Sequence, residues 1–205
     1  MKKNNLIKMI IGLLALIILV FLSYKLIIND LTYFDNTIYN FIIGFKSNIL
    51  TNFFKITTYL GSAYFLIPLT ILLIVLVKDK NKKIGILLAL IIPFLINTSL
   101  KYIFLRQRPI LINLVTEHGF SFPSGHSCTS LAFYGFLIYL IYNNLDDKIS
   151  KFFLISLLTL LVLIICISRI YLGVHYASDV LAGICLGFIV LILFIYFYNK
   201  RIVRN

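Results

Sequence analysis

Charged residues are scarce in this chain of 205 residues, at 13% of the sequence. An ordinary soluble domain carries about a quarter of such residues. Hydrophobic residues reach 61%, and the mean hydropathy is +1.02. This balance excludes a typical soluble domain and predicts an integral membrane protein.

Cysteine is rare as well. The three cysteines, Cys128, Cys166 and Cys185, all fall in long apolar runs. An odd number of buried thiols does not make a disulfide framework, and no Cys–His pair has the spacing of zinc ligands. We therefore expect the cysteines to be packing residues.

Long apolar runs occupy most of the chain. About 20 apolar residues cross a hydrocarbon core of about 30 Å as an α-helix. Six such runs are predicted, near residues 6–28, 56–77, 84–104, 124–142, 152–172 and 177–198. They leave no room for a separate soluble domain. We expect an all-α protein, a bundle of six transmembrane helices in one domain over residues 1–205, whose first run is a retained anchor.

Residues 29–55, between the first two runs, show a different pattern. Large apolar residues recur there at steps of three and four, namely Phe34, Ile38, Phe41, Phe45 and Ile49. This spacing predicts an amphipathic helix that lies in the membrane interface. Such a helix either helps to receive a lipid substrate or is a plain aromatic belt.

The net charge of +12 suggests a nucleic-acid partner at first sight, but its distribution indicates membrane topology instead. Six spans place twelve of the nineteen basic residues on one side: Lys2, Lys3, Lys8, Lys78, Lys80, Lys82, Lys83, Lys148, Lys151, Lys200, Arg201 and Arg204. The positive-inside rule makes that side, with both termini, cytoplasmic. We expect contact with anionic lipid headgroups there, and no nucleic acid.

Three polar segments remain, and the predicted topology brings all of them to the outer face. They are residues 101–109, 123–126 and 168–179, which carry the cations Lys101, Arg108 and Arg169. Three cations without a matching cluster of carboxylates predict an anion site, since Arg binds phosphate oxygens in pairs and Lys supplies a point charge.

The segment Pro123-Ser124-Gly125-His126 stands where a helix is expected to begin. Proline is favoured in a first turn, glycine lets a ligand approach the backbone, and the free amides of a helix start bind phosphate. We therefore expect an oxyanion cradle here, with His126 pointing into it.

His175 and Asp179 are four residues apart and share one face if the last helix has begun by His175. Asp179 can then accept the proton of one imidazole nitrogen and leave the other free to attack. His126 could protonate the leaving oxygen. Each feature alone has a plain explanation, such as an interfacial histidine or a snorkelling cation. Their conjunction on one face favours a catalytic site.

Three motifs carry a family resemblance: Lys101-x6-Arg108-Pro109, Pro123-Ser124-Gly125-His126 and Ser168-Arg169-x5-His175-x3-Asp179. In residue types and internal spacings they resemble the three-part signature of the type 2 phosphatidic acid phosphatase (PAP2) superfamily. The resemblance implies a metal-independent phosphatase that needs no cofactor and forms a phosphohistidine intermediate.

Carried onto this chain, the resemblance implies that His175 is the nucleophile, Asp179 orients it and His126 is the general acid. It implies that the phosphate is held by Lys101, Arg108, Ser124, Gly125 and Arg169. The scarcity of acidic residues agrees, because a two-metal phosphatase needs several carboxylates around one point. Only Asp179 and Glu117 of the seven acidic residues are near the motifs, and Asp30 and Asp35 are far off in sequence.

The substrate expected at an outer interface is a lipid with its phosphate at headgroup level. Of the lipids that the resemblance to bacterial family members implies, undecaprenyl pyrophosphate is favoured, followed by phosphatidylglycerol phosphate and phosphatidic acid. Transfer of the phosphoryl group to a second lipid is the alternative to hydrolysis. A transporter or lipid-binding subunit is the alternative from another class, but transporters carry their charges near the bilayer midplane. The sequence leaves the oligomeric state open.

Overall fold

The computed structural model describes residues 2–110 and 114–202, and the side chains of residues 6–110 and 114–200. Arg204 lies outside these ranges, as do the side chains of Lys2, Lys3 and Arg201. Every regular element in the described ranges is helical: α1 (Lys2–Ile27), α2 (Thr32–Ile43), α3 (Asn48–Tyr59), α4 (Ala63–Leu76), α5 (Lys80–Phe104), α6 (Gly125–Asn144), α7 (Lys148–Tyr171) and α8 (Ala177–Phe197), which continues as a π-helix over Tyr198–Ile202.

Four of the described helical segments are long and apolar enough to cross a membrane: Leu6–Ile27, Lys80–Phe104, Lys148–Tyr171 and Ala177–Lys200. Helices α3 and α4 make a fifth if they form one bent span. The chain is thus an all-helical, multi-pass membrane protein. The count of six spans stays a prediction, since α6 is not in this set. His126 and the serine and threonine residues near its start lower its hydropathy.

The predicted run 56–77 is not one continuous helix. It starts inside α3, stops at a turn and resumes in α4, and the two helix axes differ by 47°. Gly61 stands in the turn, where a Cβ atom would come within 2.7 Å of both Ile165 and Ser130. The Tyr134 hydroxyl donates to the carbonyl of Leu60 at 2.7 Å. The break therefore lets the backbone pack closely against α6 and α7.

Residues 29–55 form two helices instead of the single one expected. They are α2 and the first part of α3, separated by residues 44–47. Helix α3 begins directly after Ser47, which caps it: the side chain of Ser47 accepts from the amide of Leu50 at 3.1 Å. The location of these helices in a membrane interface stays a prediction.

Helix α6 lies at the centre of the bundle and packs against α5, α7 and α8. Its start is capped by Ser124, as α5 is capped by Asp79 and α7 by Asp147. The core around it includes Phe133, Phe136 and Ile165, each fully buried. The three cysteine thiols are free and buried in the same bundle. This packing fixes the start of α6 beside the ends of α5 and α7.

Candidate active site

A cavity of about 420 Å³ opens between α4, α5 and the start of α6. Its polar wall consists of Asn97, Thr98, Lys101, Arg108, Glu117, Gly125, His126, Thr129 and His175. Its apolar wall, on α4 and α5 and the turn before α4, consists of Gly61, Ala63, Leu66, Ile67, Leu90, Ile91 and Phe94. Five of the eight predicted site residues therefore line one cavity: Lys101, Arg108, Gly125, His126 and His175.

His175 precedes α8, which begins at Ala177, so it meets Asp179 across the helix start instead of within the helix. Its Nδ1 lies 3.4 Å from Asp179 Oδ2. The hydroxyl of Ser121 bridges them, since it donates to Oδ2 of Asp179 and lies 3.2 Å from Nδ1. The amide of Tyr176 donates to the same oxygen at 2.9 Å. Sequence reasoning missed Ser121, which lies outside the three motifs.

Arg106 holds the other side of Asp179, a contact that the sequence did not indicate. Its Nη1 donates to Asp179 Oδ1 at 2.5 Å and to Ser178 Oγ at 2.7 Å. Its Nη2 donates to Asp35 Oδ2 at 2.7 Å, and its guanidinium lies 4.0 Å from the centre of the Tyr176 ring. Asp35, far off in sequence, is therefore close to the site in space, and the spacing of the motifs gave no signal of this.

Lys101 and Arg108 both face the cavity from the first motif. The Lys101 Nζ donates to the carbonyls of Phe120 and Ser121, at 2.5 and 3.3 Å. Arg108 Nη1 lies 3.1 Å from His175 Nε2. The same guanidinium donates to three carbonyls, those of His118, Gly119 and Val174. Both cations thus fasten the loop before α6 while they keep positive charge beside the imidazole.

Arg169 is 1% exposed and does not line the cavity directly. It donates to Thr58 Oγ1 at 2.6 Å and to Glu117 Oε1 at 2.5 Å. Glu117, which lines the cavity, is therefore its counterion. The Nε of Arg169 is buried without a hydrogen-bond partner among the described residues. This N–H group is therefore an unpaired buried donor in the described part of the chain.

The start of α6 contributes backbone to the cavity. The first amides of a helix lack intrahelical acceptors, and those of Gly125 and His126 stand at this position. A Cβ atom at Gly125 would come within 3.3 Å of Asn97 Oδ1, so glycine keeps this approach open. Ser124 differs from the expectation, because its fully buried hydroxyl faces Ser127 Oγ at 3.0 Å and does not line the cavity.

The surroundings of His175 disfavour its charged form. Burial and the nearby cations Arg169, Arg108 and Lys101 hold its pKa well below the ordinary value of 6.5. The imidazole is therefore neutral at pH 7, the form that a nucleophile needs. Among the side chains of residues 6–110 and 114–200, no three His, Cys, Asp or Glu groups come together as metal ligands.

Comparison with known proteins matches the sequence and the fold to one family. The profile of the PAP2 superfamily matches residues 82–202, more than half of the chain. Phosphatidylglycerophosphatase B of Bacillus subtilis is 36% identical over 141 residues, which are 66% of this chain and 69% of that protein.

Two solved structures are similar over most of the chain. A transmembrane PAP2 type phosphatidylglycerolphosphate phosphatase from Bacillus subtilis superposes with a TM-score of 0.84 at 27% identity, over 93% of this chain and 96% of that one. LpxE of Aquifex aeolicus superposes with a TM-score of 0.61 at 29% identity, over 77% and 92%.

The helical bundle, the cavity and these relatives define a multi-pass membrane phosphatase. The chain belongs to the PAP2 superfamily, and its bacterial membrane relatives are lipid phosphatases. This family membership excludes the alternative of a transporter or lipid-binding subunit considered from the sequence.

Proposed function

We propose that this chain, as one domain over residues 1–205, hydrolyses the terminal phosphate of a membrane lipid through a phosphohistidine. The observation that carries the proposal is the orientation of His175. Its Nδ1 is turned to Asp179 and Ser121, and its Nε2 is turned to Arg108 and the cavity. An imidazole with Nδ1 protonated against a carboxylate has Nε2 free to attack.

The reaction follows in two steps. In the first, His175 Nε2 forms a bond to phosphorus, the bond from phosphorus to the leaving oxygen breaks, and His126 gives that oxygen a proton. In the second, a water oxygen forms a bond to phosphorus, the bond from phosphorus to Nε2 breaks, His126 takes a proton from the water, and inorganic phosphate leaves while His175 is regenerated as a free imidazole. Asp179 stabilises the charge that develops on His175.

The phosphate holders are Lys101, Arg108, Arg169 and the amide of Gly125. Lys101 and Arg108 line the cavity, and Arg169 has its buried Nε available. These donors offset the charge on the phosphoryl oxygens without a metal ion or other cofactor. Ser124, expected to bind phosphate, supports the site by capping α6, and its hydroxyl would have to leave Ser127 to contact a ligand.

The tail of the lipid fits the apolar wall of the cavity. Leu90 and Lys101 both line it and are eleven residues apart on α5, which is about 16 Å along a helix. The cavity therefore extends from the charged groups well into the apolar part of the bundle. Undecaprenyl pyrophosphate, the substrate favoured on the family resemblance, is one candidate. Phosphatidylglycerol phosphate is the second, favoured by the name of the Bacillus subtilis relative and by that of the Bacillus subtilis structure.

We place the site on the outer side of the cell membrane, with both termini in the cytoplasm, on the strength of the distribution of basic residues. Substrate then reaches the cavity from the lipid phase, and the partners are the bilayer and the lipid itself.

The test is a substrate panel with purified protein in detergent. Undecaprenyl pyrophosphate, phosphatidylglycerol phosphate and phosphatidic acid, each labelled in the terminal phosphate, are incubated with excess chelator. Free labelled phosphate is expected, and protein that is denatured in detergent at alkaline pH, where phosphohistidine is stable, should carry label on His175. A labelled second lipid would instead indicate transfer, and a strict requirement for divalent metal would contradict the metal-independent mechanism.

A further inference from the structure

One arginine outside the predicted catalytic set joins two buried carboxylates. Arg106 donates through Nη1 to Asp179 Oδ1 and through Nη2 to Asp35 Oδ2, at 2.5 and 2.7 Å. Its side chain is 13% exposed, against 0% for Asp179 and 2% for Asp35. A planar guanidinium can hold two acceptors at a fixed angle, which the single charge of lysine cannot do.

The two oxygens of Asp179 have separate partners. Oδ2 faces His175 Nδ1 and accepts from Ser121 and Tyr176. Arg106 is the partner of Oδ1. Rotation of the carboxylate, which would turn Oδ2 away from the imidazole, therefore requires the bond to Arg106 to break. The backbone of Arg106 contributes as well, since its carbonyl accepts from the amide of Ser121 at 2.8 Å.

Asp35 fixes Arg106 from the opposite side and joins α2 to the start of α8. Its Oδ1 accepts from the amide of Ser178 at 2.8 Å, and its Oδ2 accepts from Ser178 Oγ at 2.9 Å. Three bonds thus tie one buried side chain of α2 to the residue next to Asp179 and to Arg106. This is the polar contact by which α2, whose residues otherwise suit an amphipathic surface helix, reaches the site.

We propose that Arg106 and Asp35 are positioning residues that hold Asp179, and through it His175, in the orientation for attack. The proposal rests on the phosphohistidine function above. It gives α2 a second role besides any contact with lipid: without Asp35 the guanidinium loses one of its two anchors, and the carboxylate that orients the nucleophile is held less firmly.

The experiment compares steady-state kinetics of Arg106→Gln, Asp35→Asn and their combinations with Asp179→Asn, on the best lipid of the panel. We expect kcat to fall about 100-fold for Arg106→Gln and about tenfold for Asp35→Asn, with KM nearly unchanged, because neither residue lines the cavity. In the Asp179→Asn background, Arg106→Gln should add little further loss. Arg106→Lys should recover only part of kcat.

A structural role alone predicts a different result. The fold-loss in kcat of each variant would then multiply with that of Asp179→Asn, and this outcome would overturn the proposal. A kcat within twofold of the parent in both single variants would overturn it as well. The matched control is the surface ion pair of Lys25 and Asp30, whose Nζ and Oδ2 atoms are 2.5 Å apart. Neither Lys25→Gln nor Asp30→Asn is expected to change kcat. If Arg106→Gln does not fold, the Asp35→Asn variant alone tests the proposal. Its side-chain amide oxygen can still accept from the backbone amide of Ser178.

Hydrogen exchange of residues 174–182 in the same samples separates this proposal from the proposed function. Faster exchange in Asp35→Asn and Arg106→Gln than in the controls is expected whether or not the parent releases phosphate. An inactive parent with this exchange pattern would overturn the phosphatase function and keep the anchoring. An active parent with unchanged exchange and kcat would overturn the anchoring alone.

Discussion

Helices α6 and α1 both pack against α8, but they do so in different ways. At the α6 contact, a Cβ atom on Gly183 would come within 2.6 Å of the Ser124 carbonyl, and one on Gly187 within 2.9 Å of the Cys128 carbonyl. At the α1 contact, a Cβ atom on Gly12 would lie 3.5 Å from the side chain of Ile192, an ordinary distance. In the apolar stretch of α1, 11% of the residues are buried, against 44% in that of α8.

The difference shows where the fold needs close packing. The α6–α8 contact sets the position of the cavity residues on α6 relative to His175 and Asp179. A shift at this contact would therefore displace the residues of the site. The side chains of α1 mostly face outward, where lipid supplies the apolar surroundings. The following predictions test that contrast, starting with the largest expected effect.

The largest loss of activity is expected at His175, just before the start of α8, which the α6–α8 contact holds beside the cavity. His175→Ala removes the proposed nucleophile, and phosphate release should fall by about 10⁴-fold or more. His118→Ala is the matched control, because His118 is exposed and gives Arg108 only its backbone carbonyl. Phosphate release at the parent rate by His175→Ala would show that the nucleophile is misassigned.

A smaller loss is expected for the cation beside the nucleophile. Arg108→Gln removes a donor of the phosphate site and should lower kcat by about 10²–10³, by analogy with the loss of one oxyanion-hole donor. Lys46→Gln, an exposed cation on the α2–α3 connection, is the control and should behave as the parent. Equal activity of the two variants would remove Arg108 from the site.

The same variant should change the pH profile. His175 attacks as the neutral base, and its pKa lies below 6.5, so the acid limb of kcat/KM is expected below that pH in the parent. Arg108→Gln removes one charge that repels the imidazolium, which raises the pKa of His175 and moves the acid limb to higher pH. Titration of the substrate is common to both proteins and cancels in the difference. A limb that stays in place would contradict the assignment.

The mildest effect is expected from one methyl group placed in each contact of α8. Gly183→Ala pushes against the Ser124 backbone, whose amide donates to the Asp179 carbonyl at 2.9 Å. Overpacking of this kind costs about 1–3 kcal/mol, so thermal stability in detergent and kcat should both fall.

Gly12→Ala, also within a helix, brings the same gain in helix propensity without the close contact. It should leave melting temperature and kcat at or above the parent values. If both variants lose or both keep their stability, the contrast between the two contacts is wrong.

The sequence predicted the parts of the molecule that repeat or follow a motif. The apolar runs predicted most of the helices, and three residues that the motifs singled out, Lys101, Arg108 and His175, line one cavity. It did not predict contacts between residues distant in sequence. Asp35 was set aside because it is far from the motifs, and yet it is bonded to Arg106. The turn at Gly61 is not predicted, because neither a charged residue nor a proline interrupts the run at that place.

The three cysteines of this chain are at most 4% exposed, so water-soluble maleimides should leave the native protein unlabelled. The three native cysteines therefore need not be replaced before introduced cysteines are labelled in intact cells to map the membrane topology. A single cysteine placed at Ile110, which is 90% exposed in the loop after α5, should react from outside the cell. One at Asn143, exposed at the far end of α6, should react only after the cells are permeabilised.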